Sequence, residues 1–277
     1  ATPDASERKA FLELVNIIID AWANGRTVDE DAVAHVESWL RFLKTGAIMM
    51  NDEKEKMIFI IGPDEESYRG VVKAYIRTQK EEYLNKALSL LDEMSCYDTL
   101  TTNLVLYGLA NSQPSKKNAE IAENLLWQKM ISTGQEPDSN SFRQVISAWS
   151  KTGSPDAVMK VNEILNRMLD EFKTIDPDAS SFNAIMTLHL RLGNVEEVIS
   201  VFNKMASLQE SGRIGTRPDI YSLNLLLKAM TRRKDSQRER LNEADHMLKS
   251  MPDMYHIHPV TQSFNIVIGA WSKSKLP

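Results

Sequence analysis

The sequence predicts an all-α chain, a right-handed solenoid of stacked antiparallel helical hairpins. Three observations predict it. An apolar stripe with helical spacing recurs seven times, a second stripe alternates with it and five times ends on methionine, and Pro-Asp punctuates most returns to the first stripe.

The first stripe is clearest at Phe142, Val145, Ile146 and Trp149, whose offsets of 0, 3, 4 and 7 put all four on one face of a 3.6-residue helix. The same offsets recur in the runs that open at Val15, Tyr68, Thr102, Phe182, Leu223 and Phe264. These are designated A helices. The stripes between them, such as Ala87/Leu90/Leu91/Met94 and those ending on Met130, Met168, Met205 and Met251, are designated B helices. The first B copy, Val36/Trp39/Leu40/Leu43, lacks the methionine, and the count is seven A and six B helices.

Pro63-Asp64, Pro137-Asp138, Pro177-Asp178 and Pro218-Asp219 fit the gaps between B and A helices. Proline stops the preceding helix, and the aspartate caps the next. Gly25, Gly153 and Gly193 fall just past A helices, where a left-handed cap is wanted. Two amphipathic helices cannot bury both stripes alone, so neighbouring hairpins must stack. The residue after each first stripe position is Asn16, Arg69, Asn103, Arg143, Asn183, Asn224 or Asn265, at spacings of 53, 34, 40, 40, 41 and 41. The first interval carries extra residues near Ile48 to Ile60. The expected organisation is an extension over residues 1–10 and one solenoid of about six and a half repeats over 11–277, open at its C-terminal end. The last A stripe lacks a B partner, so the natural protein is expected to continue past Pro277. The start at Ala1 is read as that of a chain whose targeting segment was removed or never included.

Composition narrows the function. With 42% hydrophobic and 26% charged residues in 277, the chain is neither disordered nor collagen-like. A net charge of −5 means that an anionic partner must be met by a local basic patch. Cys96 is the single cysteine, so no internal disulfide forms and a reducing compartment fits. No apolar run approaches the roughly 20 residues of a membrane span. Glycine-rich phosphate loops, nucleophile elbows and nuclease-like carboxylate clusters are missing from the sequence. His256 and His258 have no third ligand at metal spacing. No enzyme, cofactor or metal is expected. Trp22, Trp149, Trp271 and the helix-ending methionines are assigned to the core, and the Arg232–Arg240 run to a solvated linker.

Pro177-Asp-Ala-Ser-Ser-Phe-Asn183, Pro137-Asp-Ser-Asn-Ser-Phe-Arg143, Ala148-Trp-Ser-Lys-Thr-Gly153 and Glu163-Ile-Leu-Asn-Arg-Met168 resemble the pentatricopeptide repeat (PPR) family, and the likeness covers nearly the whole chain. The Trp and Leu-Gly pairing of tetratricopeptide repeats is not found. The resemblance implies sequence-specific binding of single-stranded RNA, one nucleotide per repeat, in organellar RNA processing, stability or translation, in a mitochondrion or chloroplast. Each base is then read by the residue after the first stripe position and by the residue before the following A helix. An amide offers donor and acceptor to a base edge. The implied pairs are Asn16 with Asp64, Asn103 with Asp138, Asn183 with Asp219 and Asn224 with Val260, with Asn265 as a further reader. The two remaining pairs, Arg69 with Asp98 and Arg143 with Asp178, fall outside the code.

In the family, Asn with Asp goes with pyrimidines, mainly uridine. The family's base-sandwiching positions are here Glu13, Glu66, Leu100, Asn140, Ser180, Tyr221 and Gln262. Eight residues past the readers, Arg77, Lys151, Arg191, Arg232 and Lys273 form a ladder that the resemblance assigns to phosphates. Five such contacts give a log–log salt slope of about −3.5. Neither DNA nor membrane is expected as a partner. The alternative is a protein-binding scaffold, or a subunit of a ribonucleoprotein assembly such as an organellar ribosome.

Overall fold

The computed structural model describes residues 5–45, 47–50, 56–59, 61–94, 98–233 and 237–274. The A helices are α1 (Ala5–Ala23), α3 (Glu65–Arg77), α5 (Thr99–Asn111), α7 (Ser139–Thr152), α9 (Ala179–Leu192), α11 (Ile220–Met230) and α13 (Thr261–Ser272). The B helices are α2 (Glu30–Thr45), α4 (Glu81–Glu93), α6 (Lys116–Asn124), α8 (Pro155–Glu171), α10 (Val195–Glu210) and α12 (Gln237–Tyr255). A π-helical stretch, Leu125–Ile131, continues α6. The expected all-α class of stacked hairpins is the one observed.

The punctuation works as the sequence implies. Asp64, Asp98, Asp138, Asp178 and Asp219 are the N-caps of α3, α5, α7, α9 and α11, each accepting the backbone N–H three residues on at 2.7–2.8 Å. Each cap contributes about 1 kcal/mol. Gly153 and Gly193 end α7 and α9 at φ 65° and 77°, the left-handed cap that glycine takes without steric cost. Gly25 does not adopt it; its carbonyl accepts from Arg77 instead.

The chain forms two compact units, one of residues 1–113 and 124–136, the other of residues 114–123 and 137–277. In the first, α1 packs on α2 and α3, and α3 on α4 and α5. In the second, α7 packs on α8 and α9, α9 on α10 and α11, and α11 on α12 and α13. Within each unit, α1, α3, α7, α9 and α11 thus meet both their own B helix and the next A helix, and this is what buries both stripes. Val15, Val71, Phe142, Trp149, Phe182 and Leu223 are almost fully buried, as are Met130, Met168, Met205 and Met251. The buried Trp149 indole donates to Glu123 at 3.0 Å, and Lys160 closes on the same carboxylate at 2.9 Å. Backbone approach is close at Gly70 and Gly108. A Cβ there would come within 2.5 Å of Ile19 and 2.4 Å of Ile76.

On the outer edge of the first unit, α2 and α4 are bridged by three ion pairs. Glu30 meets Lys80, Glu37 meets Lys86 at 3.1 Å, and Lys44 meets Glu93 at 2.6 Å.

Three further expectations need correction. The Ile48 to Ile60 insert contains a two-stranded antiparallel hairpin, Ala47–Met50 (β1) against Lys56–Phe59 (β2), with Ala47 opposite Phe59. These tetrapeptides are too short for a stable helical stripe and rich in residues that suit a strand. Trp22 is 41% exposed; it stacks on His35 at 4.4 Å rather than entering the core. Arg238 and Arg240 belong to α12, not to a linker, and Arg233 pairs with Glu243 at 2.6 Å.

Candidate nucleic-acid interface

The reading positions lie one residue past the buried stripe, on the edge of each A helix. Asn16, Asn103, Asn183 and Asn224 are only 3–6% exposed. Burial obliges these amides to find partners. The Asn183 Nδ2 donates to Asp219 at 3.2 and 3.4 Å, and its Oδ1 accepts from the Ser222 hydroxyl at 2.7 Å. Asn16 repeats the arrangement in the first unit, donating to Asp64 at 3.1 and 3.2 Å and accepting from Ser67 at 2.6 Å. In both repeats the two sequence-assigned readers are therefore in direct contact, and the N3 serine of the next helix joins them. Burial works against ionisation of Asp64, but hydrogen bonds from Ser67 and Asn16 outweigh it and hold the carboxyl below its ordinary range.

The other pairs differ. Asn103 lies in the first unit and Asp138 in the second. Asn224 faces no carboxylate, because Val260 stands where the other repeats have aspartate. Its Oδ1 is buried without a hydrogen-bond partner among the described residues. Asn265 is exposed on α13. Arg69 closes on Asp98 at 2.6 Å and Arg143 approaches Asp178 at 3.2 Å, so both arginines are neutralised within the protein. Arg143 also donates to Asn140, one of the positions expected to sandwich a base.

A cavity of about 460 Å³ in the second unit brings several expected residues together: Asn183 and Asp219, the flanking Ser180 and Tyr221, and Lys151 and Arg191 of the ladder. Tyr221 is 46% exposed, an aromatic face open to stacking. Burial, and then the nearby charge of Arg191, lower the Lys151 pKa, so the two cations are held where an anion would relieve them. Ser147, Ser150 and Thr187 also line this cavity.

The ladder is not uniform. Arg77 donates to the carbonyls of Ala23 and Gly25, the latter at 2.8 Å, and so caps the C-terminal end of α1. Arg232 lines a separate cavity of about 690 Å³ with His189, Glu196 and Glu197. Lys273 is exposed just past α13. Around Asp64, a cavity of about 670 Å³ carries Glu65, Glu66 and Glu93, a lining that repels phosphate.

The serines escaped the sequence assignment, though a signal for them exists. A Ser or Thr follows each capping position by three residues, at Ser67, Thr101, Ser141, Ser181, Ser222 and Ser263. That spacing announces a capping box but not a contact with the preceding repeat. Among the described residues, no group of three or more His, Cys, Asp or Glu is placed to hold a metal ion, and no helix is long and apolar enough to cross a membrane.

The sequence model of the PPR repeat matches residues 180–209. The small ribosomal subunit protein mL103 (rPPR7) of Arabidopsis thaliana is 27% identical over 140 residues, covering 50% of this chain and 32% of that one. The mitochondrial pentatricopeptide repeat-containing protein At5g15010 of the same plant is 30% identical over 109 residues, 39% of this chain and 18% of its own. The chain thus spans a third or less of these relatives' length. In fold it is similar to PPR10 in complex with an 18-nucleotide psaJ RNA element, at a TM-score of 0.57 and 15% identity, over all of this chain and 33% of that one. It is also similar to the PPR domain of Arabidopsis thaliana protein-only RNase P 1 in complex with tRNA, at 0.53 and 16%, over 75% of this chain and all of that one. The match to the PPR repeat falls on residues 180–209, and the recurring position after the first stripe residue, the Pro-Asp caps and the methionine-ended B helices make the other hairpins similar to that repeat.

Proposed function

We propose that this chain binds single-stranded RNA in a mitochondrion and acts by occupancy, in RNA processing, stability or translation. The observation that carries the reading is the second-unit cavity lined by Asn183, Asp219, Tyr221, Lys151 and Arg191. It combines a donor and acceptor for a base edge, a ring for stacking and two cations for the backbone. Its polarity suits a pyrimidine, uridine first, and no catalytic role is assigned to it. The RNA complexes named for PPR10 and for the RNase P domain support an RNA ligand, and the mitochondrial names of the relatives support the compartment.

A second reading has its own support. The likeness to a ribosomal subunit protein, the internally paired Arg69 and Arg143 and the acidic cavity around Asp64 favour a subunit of a ribonucleoprotein assembly. In that reading part of the surface faces protein. Filter binding to oligouridine and oligoadenosine at two salt concentrations separates the two. Retention that prefers uridine and weakens with salt supports RNA reading; no retention, or retention without preference, rejects it in favour of the assembly subunit.

A further inference from the structure

The serine hydroxyls beneath the reading amides have a role that capping leaves unexplained. The Ser222 Oγ is fully buried and lies 2.7 Å from the Asn183 Oδ1 and 2.8 Å from the Asp219 Oδ1, yet a hydroxyl carries one proton. The Asp219 Oδ1 already accepts the Ser222 backbone N–H at 2.7 Å and the Asn183 Nδ2 at 3.2 Å. Giving the hydroxyl proton to Asn183 leaves the Asn183 Oδ1 with one donor and the Asp219 Oδ1 with two N–H donors. Flipping the amide would set its oxygen against the carboxylate and leave that contact repulsive. Ser67 stands to Asn16 and Asp64 at nearly the same distances, 2.6 and 2.8 Å. Ser263 supplies an internal contrast: its hydroxyl accepts from the Val260 N–H at 3.2 Å, as a capping serine does, while the Asn224 Oδ1 has no partner.

We propose that Ser67 and Ser222 are positioning residues which, together with Asp64 and Asp219, fix the orientation of the Asn16 and Asn183 amides and thereby sharpen the choice between uridine and cytidine at those two repeats. The inference rests on the RNA reading above. Uracil and cytosine carry opposite donor and acceptor order at ring positions 3 and 4. A pinned amide, with its free N–H on one side and its free lone pair on the other, therefore separates them. An amide free to flip serves both.

The test uses oligouridine and its single-position cytidine variants with the full chain. In Ser222→Ala, the penalty for cytidine at one position is expected to fall by about fivefold, the equivalent of one neutral hydrogen bond, with the other positions unchanged. Ser222→Thr restores it, since Thr101 shows that the equivalent site holds a branched side chain fully buried. Ser263→Ala loses a comparable cap and leaves every penalty as it was. A uniform loss of affinity in Ser222→Ala, or the same loss of selectivity in Ser263→Ala, overturns the proposal. If the unaltered chain binds no oligomer, the RNA reading fails on its own. Amide fixing is then judged from the side-chain NH2 resonances of Asn183: faster exchange in Ser222→Ala upholds it, and unchanged exchange overturns it.

Discussion

The guanidinium of Arg69 meets the carboxylate of Asp98 at 2.6 Å, joining two residues 29 positions apart that occupy the same two places as Asn183 and Asp219 in a later repeat. The amide pairs keep an unused donor and lone pairs. The arginine pairs spend their charge on each other, and both partners are about 30% exposed, so the ion pair itself adds little stability. What it changes is the chemistry left for a ligand.

Arg143→Asn is expected to convert a closed repeat into a reading one. The new amide would face Asp178, whose carboxylate already caps α9. Affinity for oligouridine should rise by about twofold to tenfold, with a new position sensitive to cytidine in a positional scan.

The ladder cations are expected to separate into two groups. Lys151→Ala and Arg191→Ala should each reduce the salt slope of RNA binding by about 0.7. Arg191→Ala should leave thermal unfolding nearly unchanged, because the residue is exposed and no carboxylate among the described residues is within ion-pair distance. Arg77→Ala removes two hydrogen bonds to the end of α1 and should cost about 1–3 kcal/mol, with the slope unmoved.

Asp64 gives a pH signature. Its carboxyl binds its proton less readily in the folded chain than in the unfolded one, so its contribution is complete above the ordinary aspartate value of 3.8 and is lost as pH falls below it. Asp64→Asn should flatten acid unfolding of the first unit in that range. At neutral pH it should cost about 1 kcal/mol through the weakened cap, read by chemical denaturation.

His189 occupies the stripe position that Trp149 fills in the preceding A helix. Both of its nitrogens are buried without a hydrogen-bond partner among the described residues. Burial lowers its pKa, with Glu197 opposing, so the folded chain resists protonation. The stability this residue permits is therefore complete above 6.5 and is lost as pH falls below that value, where the unfolded chain takes the proton. His189→Leu should abolish that dependence and add about 1 kcal/mol at neutral pH, measured by thermal unfolding across this range.

Much of the fold was legible because it is periodic. Stripes at offsets of 3 and 4 residues mark the buried faces of most helices, though Phe264 and Ile268 of the last stripe are exposed, and Pro-Asp carries its capping function in two adjacent residues. The candidate reading residues were legible as a repeated position, and Asn183 with Asp219 does meet. Their environment was not legible. Asn16 and Asp64 are 48 positions apart, and no local pattern reports that Ser67 completes their network. The arginine ion pairs, the diversion of Arg77 to α1 and the β1–β2 hairpin depend equally on what packing brings together. Trp22 shows the limit of the stripe argument. It satisfies the spacing, yet it stacks on His35 at the surface while the adjacent Ala23 is the residue that is buried.

The rungs between α2 and α4 reverse in sign once: two glutamates then a lysine on one side, two lysines then a glutamate on the other. Sliding α4 by one heptad in one direction would set Glu37 against Glu93; in the other it would set Lys44 against Lys86. Either shift opposes like charges, so these exposed pairs act as the teeth of a key, rejecting mispaired hairpins during assembly even though each bond alone is weak.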